Sequence, residues 1–360
     1  MSRLHNFCAG PCVLPVSVLE QLAHDMVDYQ GSGMSLIEMS HRGPIYEEVH
    51  LNTMASLRRL YAVPDDFDVL LLQGGASLQF AMAPMNVLQA GEKAGYIVAG
   101  TWGKKAFADA KHVGNAYAAW DGADTKFSRM PTVDEVQIQD DTRYLHITSN
   151  ETIGGIRMPN FPDFGVRVIA DMSSDYLSRP IPWDQFDVVY GGAQKNLGPA
   201  GLTVVFARKD VIAAAPTNLP AYLRYETHAD AGSMANTPPV FAIWATGLML
   251  NWMEEHGGVE GMQTRAATRS AMLYDAIDAS GGFYQSPVAP EDRSHTNVVF
   301  TLGDADAQAD FLREAEAAGL QNLKGHRSVG GMRASIYNAL PTESVAALID
   351  FMSNFATSRS

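Results

Sequence analysis

Residues 188–198 read VVYGGAQKNLG, and residues 167–174 read RVIADMSS. Each is a short apolar run that breaks into small and polar residues, the pattern of a buried strand feeding a turn. Gly191 and Gly192 let the backbone turn sharply and approach a ligand closely. The arrangement recurs outward from there. Residues 69–72 run into Gln73-Gly74-Gly75 and then a helical stretch, 77–88. Residues 94–99 run into a turn, Gly100-Thr101-Trp102-Gly103, with a helix beginning near Lys104. Residues 144–148 run into Ser149-Asn150-Glu151-Thr152, and 203–207 supply a sixth strand. Apolar runs alternating with helical patterns predict an α/β fold, a mostly parallel sheet with helices on its faces. In such sheets a ligand lies beyond the carboxyl ends of the strands, so these loops are expected to share one site.

Past residue 257 the pattern changes. Helices over 262–280, 305–318 and 344–356 and strands over 296–302 and 330–337 predict a smaller α+β domain. The first dozen residues are loop-like and are expected to join it. The domain reading is 13–257 for the large unit, with 1–12 and 258–360 forming the small one.

The chain has 360 residues, enough for two domains and a sizeable core. Hydrophobic residues make up 46% and charged residues 18%, which excludes a disordered chain. A net charge of -14 leaves no broad basic face, so neither nucleic acid nor an anionic membrane is an expected partner. The two cysteines, Cys8 and Cys12, exclude a disulfide scaffold and fit a reducing compartment. No metal-ligating cluster adjoins them, and no metal is expected. The N-terminus lacks a long apolar run. Residues 240–253 are strongly apolar but short for a membrane span and contain Thr246, Gly247 and Asn251. A buried helix in a cytoplasmic protein is the expectation.

Lys195 follows a strand and a double glycine. A lysine at a low-dielectric crevice loses part of its preference for charge, and a free amine attacks carbonyls. Read alone it is first of all a surface loop residue. Asp171 ends a strand, where it can face the same crevice or cap a helix. Gly74-Gly75-Ala76-Ser77 joins a strand to a helix and forms either an anion site or an ordinary turn. It is neither a P-loop nor GxGxxG, which disfavours a nucleotide. Trp102 can stack on a planar ring or sit in the core. Thr152 and Gln194 each offer one hydrogen bond. Asn236 and Thr237 occupy a stiff loop before Pro238 and Pro239, able to hold a phosphate or to cap. His41, Arg42, His326, Arg327 and Arg333 form a cationic set suited to carboxylate or phosphate.

Taken together, these residues resemble the phosphoserine aminotransferase family, a branch of the class V aminotransferases with the fold-type I architecture. The likeness runs through Asn6–Pro11, Ser40–Gly43, Leu72–Phe80, Ser149-Asn-Glu-Thr-Ile, Ala170-Asp-Met-Ser-Ser, Gly191-Gly-Ala-Gln-Lys-Asn and Gly330–Asn338. The resemblance implies a seven-stranded sheet in the large domain and pyridoxal 5'-phosphate bound to Lys195. It implies that Asp171 faces the cofactor ring nitrogen, Trp102 its face and Thr152 its hydroxyl. Ala76, Ser77 and Gln194 would hold the cofactor phosphate, with Asn236 and Thr237 reaching it from the other subunit of a homodimer. Arg333 would take the substrate α-carboxylate. His41, Arg42, His326 and Arg327 would grip a phosphate or the side-chain carboxylate of glutamate. The implied reaction exchanges L-glutamate and 3-phosphohydroxypyruvate for 2-oxoglutarate and O-phospho-L-serine in serine biosynthesis, with 4-phosphohydroxythreonine of vitamin B6 synthesis as a related substrate. Two departures bear on the grip: some members carry arginine where this chain has Ser77, and serine where it has Cys8-Ala9. A serine–pyruvate or alanine–glyoxylate type transaminase would share Lys195 and Asp171 without needing the cationic set. A non-catalytic cofactor-binding protein would share the binding residues alone.

Overall fold

The computed structural model describes residues 3–359. Its centre is a seven-stranded sheet made of β1 (Phe67–Leu72), β2 (Lys93–Val98), β3 (Asn115–Asp121), β4 (Thr142–Thr148), β5 (Val168–Asp171), β6 (Phe186–Gly192) and β7 (Thr203–Arg208). The spatial order is β1-β7-β6-β5-β4-β2-β3. From β6 to β3 the pairs are parallel, while β7 runs antiparallel to both β6 and β1. A short connection from β6 returns the chain as β7, and short links make antiparallel neighbours. That connection carries Lys195.

Both faces of the sheet are buried. Along β1, Val69 and Leu71 enter one apolar cluster, and Leu70 and Leu72 enter the other. A strand covered on both faces reads as a continuous apolar run, the signal visible in the sequence. The helices α1 (Val16–Asp25), α2 (Pro44–Leu60), α3 (Gly75–Val87), α4 (Thr101–Val113) and α5 (Val240–Glu255) pack around it. The stretch expected as a buried helix is α5, with Ile243, Ala245, Leu250 and Met253 buried completely. None of the described helices is long and apolar enough to cross a membrane.

The C-terminal part contains α6 (Gly258–Asp278), β8 (Asn297–Leu302), α7 (Ala305–Ala317), β9 (Met332–Ser335) and α8 (Thr342–Thr357). Its apolar cluster includes Phe7, and His5–Asn6 pairs in parallel with Leu320–Gln321.

Several elements differ from the sequence expectation. The helix expected from Lys104 begins at Thr101, so Trp102 lies in its first turn and not in a loop. The strand expected over 330–337 is confined to Met332–Ser335, because Gly330 and Gly331 adopt positive φ values of 77° and 62°. The edge strand β3, NAYAAWD, is mostly exposed or half-exposed, and its apolar residues are alanines, Tyr117 and Trp120 in place of the Val, Ile and Leu of the central strands. Helices α1 and α2 carry their buried positions among charged and polar residues and were not apparent.

Candidate active site

Lys195 stands in the connection from β6 to β7. The adjoining Asn196 ties this connection to two other segments: its Nδ2 donates to the Ser174 carbonyl at 3.1 Å, and its Oδ1 accepts from the Asn338 N–H at 3.1 Å. The Lys195 Nζ donates to Thr152 Oγ1 at 2.7 Å and lies 5.3 Å from the centre of the Trp102 ring. Burial pushes its ammonium below the usual lysine value, Arg333 acts the same way, and the carboxylates of Asp171 and Glu151 oppose them.

Asp171 is the last residue of β5 and is 4% exposed. One oxygen accepts from the Ser173 N–H at 2.9 Å and the Ser173 hydroxyl at 2.6 Å. Its carboxyl is pushed up by burial, while Lys195 and Ser173 pull it back. The two bonds to Ser173 fix the carboxylate and leave its second oxygen without a described donor.

Arg333, on β9, reaches across from the C-terminal part. Its Nη1 donates to the Thr152 carbonyl at 3.3 Å. Thr152 therefore receives Lys195 on its hydroxyl and Arg333 on its backbone. His326 and Arg327 sit on the neighbouring turn, and Arg327 is exposed. Burial lowers the proton affinity of His326, with Arg333, Arg327 and Lys105 adding to it. Lys105 was not among the sequence candidates. It lies 4.6 Å above the Trp102 ring, one helical turn along α4.

Ala76 and Ser77 fall in the first turn of α3, after Gly74 with φ 96°. The first amides of a helix lack intrahelical acceptors and attract anions. Gln194 folds over Gly192, where a Cβ would collide with its Oε1. Asn236 and Thr237 lie beside the end of β1, where Gln73 Nε2 donates to the Thr237 carbonyl at 3.2 Å. His41 and Arg42 precede α2, and their side chains make no described bond to the Lys195 group. Arg42 is exposed, and His41 Nε2 is buried without a partner.

Sequence reasoning also missed Glu151, which is fully buried and accepts from the Trp102 and Gly103 amides. The signal was present: an acidic residue inside Ser149-Asn-Glu-Thr, and glycines flanking Thr101-Trp102.

These residues fit pyridoxal phosphate. A buried carboxylate has one oxygen to spare, the Trp102 indole Nε1 is buried without a partner, and a lysine amine and a helix N-terminus share the same strand ends.

Residues 4–348 match the family described as Aminotransferase class-V, and the chain belongs to that family, whose members depend on pyridoxal phosphate. Its relatives place it more narrowly. It is 49% identical to the phosphoserine aminotransferase of Niallia circulans over 358 residues, covering 99% of each chain. The phosphoserine aminotransferase of Bacillus circulans subsp. alkalophilus superposes with a TM-score of 0.98 at 49% identity, covering 99% of each chain. A pyridoxal-phosphate-bound phosphoserine aminotransferase from Trichomonas vaginalis gives 0.93 at 37% identity, covering 98% of this chain and all of the other. Within class V, the chain is a member of the phosphoserine aminotransferases.

Proposed function

We propose that the chain transfers the amino group of L-glutamate to 3-phosphohydroxypyruvate, reversibly, yielding 2-oxoglutarate and O-phospho-L-serine for serine biosynthesis. The observation that carries this reading is the bonded set of Lys195, Thr152 and Arg333 beside buried Asp171.

Pyridoxal phosphate, when bound, supplies an electron sink for the charge left on the substrate Cα. Lys195 would hold it covalently, Asp171 its ring nitrogen, Trp102 its face and Thr152 its hydroxyl. Ala76, Ser77 and Gln194 would hold its phosphate, together with the loop of Asn236 and Thr237 from a second copy.

The chain's own groups then divide the work. Burial favours the free amine of Lys195, the form that accepts a proton from the substrate Cα. Arg333, anchored on the Thr152 carbonyl, orients the substrate α-carboxylate within reach of that amine. His41, Arg42, His326 and Arg327 take a phosphate or a side-chain carboxylate in turn, and the same grip admits 4-phosphohydroxythreonine. Asp171, held by Ser173, keeps a negative charge aimed at the ring position.

We read residues 13–257 as the large, cofactor-binding domain, with 1–12 and 258–360 forming the small domain. The homodimer reading is supported by the exposed apolar residues Met34, Ile37, Leu51 and Phe241 around α2 and α5. The free thiols of Cys8 and Cys12 suit a reducing cytoplasm.

The visible spectrum of the purified protein, titrated with L-glutamate, O-phospho-L-serine and L-alanine, tests the reading. Conversion of the cofactor band by the first two, and not by alanine, is expected. Conversion by alanine alone would transfer the chain to a transaminase without a phosphate grip. No band after adding pyridoxal phosphate would remove the cofactor assignment.

A further inference from the structure

Glu151 lies immediately before Thr152, in a short strand (Asn150–Glu151) that pairs antiparallel with Ile156–Arg157. Its side chain is fully buried, and no described cation forms an ion pair with it. Its Oε2 accepts from the Trp102 N–H at 3.0 Å and its Oε1 from the Gly103 N–H at 2.7 Å. These are first-turn donors of α4, which have no acceptor within the helix and favour a negative charge.

Helices ordinarily receive this bond from the residue just before them. Here that residue is Gly100, which has no side chain to give. The cap comes instead from a separate element across the site. Gly100 makes the room: a Cβ there would fall 2.6 Å from Glu151 Cδ. Its φ of 177° is ordinary extended backbone, so glycine serves space and not conformation at this position. Burying a carboxylate costs free energy that a local Ser or Asp cap would avoid. The distant cap adds a mechanical connection between the turn carrying Trp102 and the hairpin carrying Thr152. Thr152 is the residue that holds the Lys195 amine, 5.3 Å from the indole centre.

We infer that Glu151 is a positioning residue: it clamps the first turn of α4 to the Thr152 hairpin and thereby fixes the Trp102 ring against the planar ligand held by Lys195 and Thr152. This rests on the cofactor reading above.

Two variants loosen the clamp by different means. Glu151→Gln replaces one acceptor oxygen with an amide N–H₂ that opposes a backbone donor. Gly100→Ala displaces the carboxylate without changing charge. Measured above pH 7, where the Glu151 carboxyl is ionised, each is expected to weaken pyridoxal phosphate binding by the cofactor-free protein at least about tenfold, the worth of one charge-assisted hydrogen bond. Each should also shift the visible circular dichroism of the bound cofactor and speed hydrogen exchange at the Trp102 and Gly103 amides. In a Trp102→Ala background, Glu151→Gln should weaken binding no further. Faster exchange with unchanged affinity and dichroism in both variants would make Glu151 a plain helix cap and overturn the inference. Equal losses with and without Trp102 would overturn it as well. A wild-type protein that binds no pyridoxal phosphate would overturn the cofactor reading itself, and this inference with it.

Discussion

Asp171 lies directly opposite Tyr190 in the parallel pair of β5 and β6. Both strands end on the same side of the sheet, so the connection that begins after β6 delivers Lys195 beside the carboxylate that ends β5. Lys195 and Asp171 are 24 residues apart in sequence, and the register of one strand pair makes them neighbours. The two groups oppose each other's burial. Each is pushed toward its neutral form by desolvation, and each is pulled back by the other's charge.

Asp171→Asn separates charge from shape. The amide retains an oxygen for the Ser173 N–H and hydroxyl, so the fold and cofactor retention should persist. The negative charge facing the ring nitrogen is lost. Turnover should fall by roughly 10³-fold, the middle of the range that a positioned proton-holding group contributes. Single-turnover absorbance changes with L-glutamate measure this directly. A loss below tenfold would place the carboxylate's role in capping Ser173 alone.

Lys195→Ala removes the only amine bonded to Thr152 among the described residues. Because the side chain is held by a single hydrogen bond, its loss should shift the melting temperature by a few degrees at most. Turnover should fall by at least about 10³-fold, because no other described base stands at that point. Addition of a small primary amine should restore part of the rate. Near-normal turnover would show that another group moves the proton.

The strands near Lys195 and Asp171 were legible because both faces of the sheet are buried, which writes an unbroken apolar run into each of them. Edge strand β3 is less buried, and its apolar stretch is built largely of alanine, which does not distinguish a strand from a helix. The start of α4 was misplaced for a related reason. A helix start is read from a capping residue beside it, whereas the cap here is Glu151, some fifty residues along the chain. Lys105 was missed because its meaning depends on lying over Trp102, a helical neighbour only once Thr101 opens the helix. Lys195 and Asp171 were each ambiguous alone; their shared resemblance to one family resolved them.

Glu151 predicts a pH dependence of stability. Burial pushes its carboxyl up from 4.5 to about 7, against the Trp102 and Gly103 amides and the Lys195 charge. Between those pH values the folded protein keeps a proton that the unfolded chain has lost. Stability is therefore present below the unfolded value and is lost as pH rises toward the folded one. Asp171, also raised by burial, adds in the same direction. Glu151 therefore contributes a fall in the urea midpoint of the cofactor-free protein between about pH 5 and pH 7, set against the opposite contribution of His146 and His295, whose proton affinity burial lowers. Glu151→Gln, with no proton to release, should flatten that fall. Parallel slopes would mean that Glu151 is ionised throughout the range.

Arg42 stands just before α2. Its side chain is exposed and makes no described bond to the group around Lys195. We expect Arg42 to grip substrate at the site of the second copy of a homodimer. Two inactive proteins then complement each other. A hybrid of one Lys195→Ala chain and one Arg42→Ala chain has one site lacking both residues and one site intact. Random reassociation makes half the dimers hybrids, so the mixture should recover about one quarter of wild-type activity. If Arg42 served the lysine of its own chain, every hybrid site would lack one of the two residues. The mixture would then stay at the level of its parents. Denaturing and refolding the two variants together, with each refolded alone as the reference, distinguishes a site shared across the interface from one complete within a single chain.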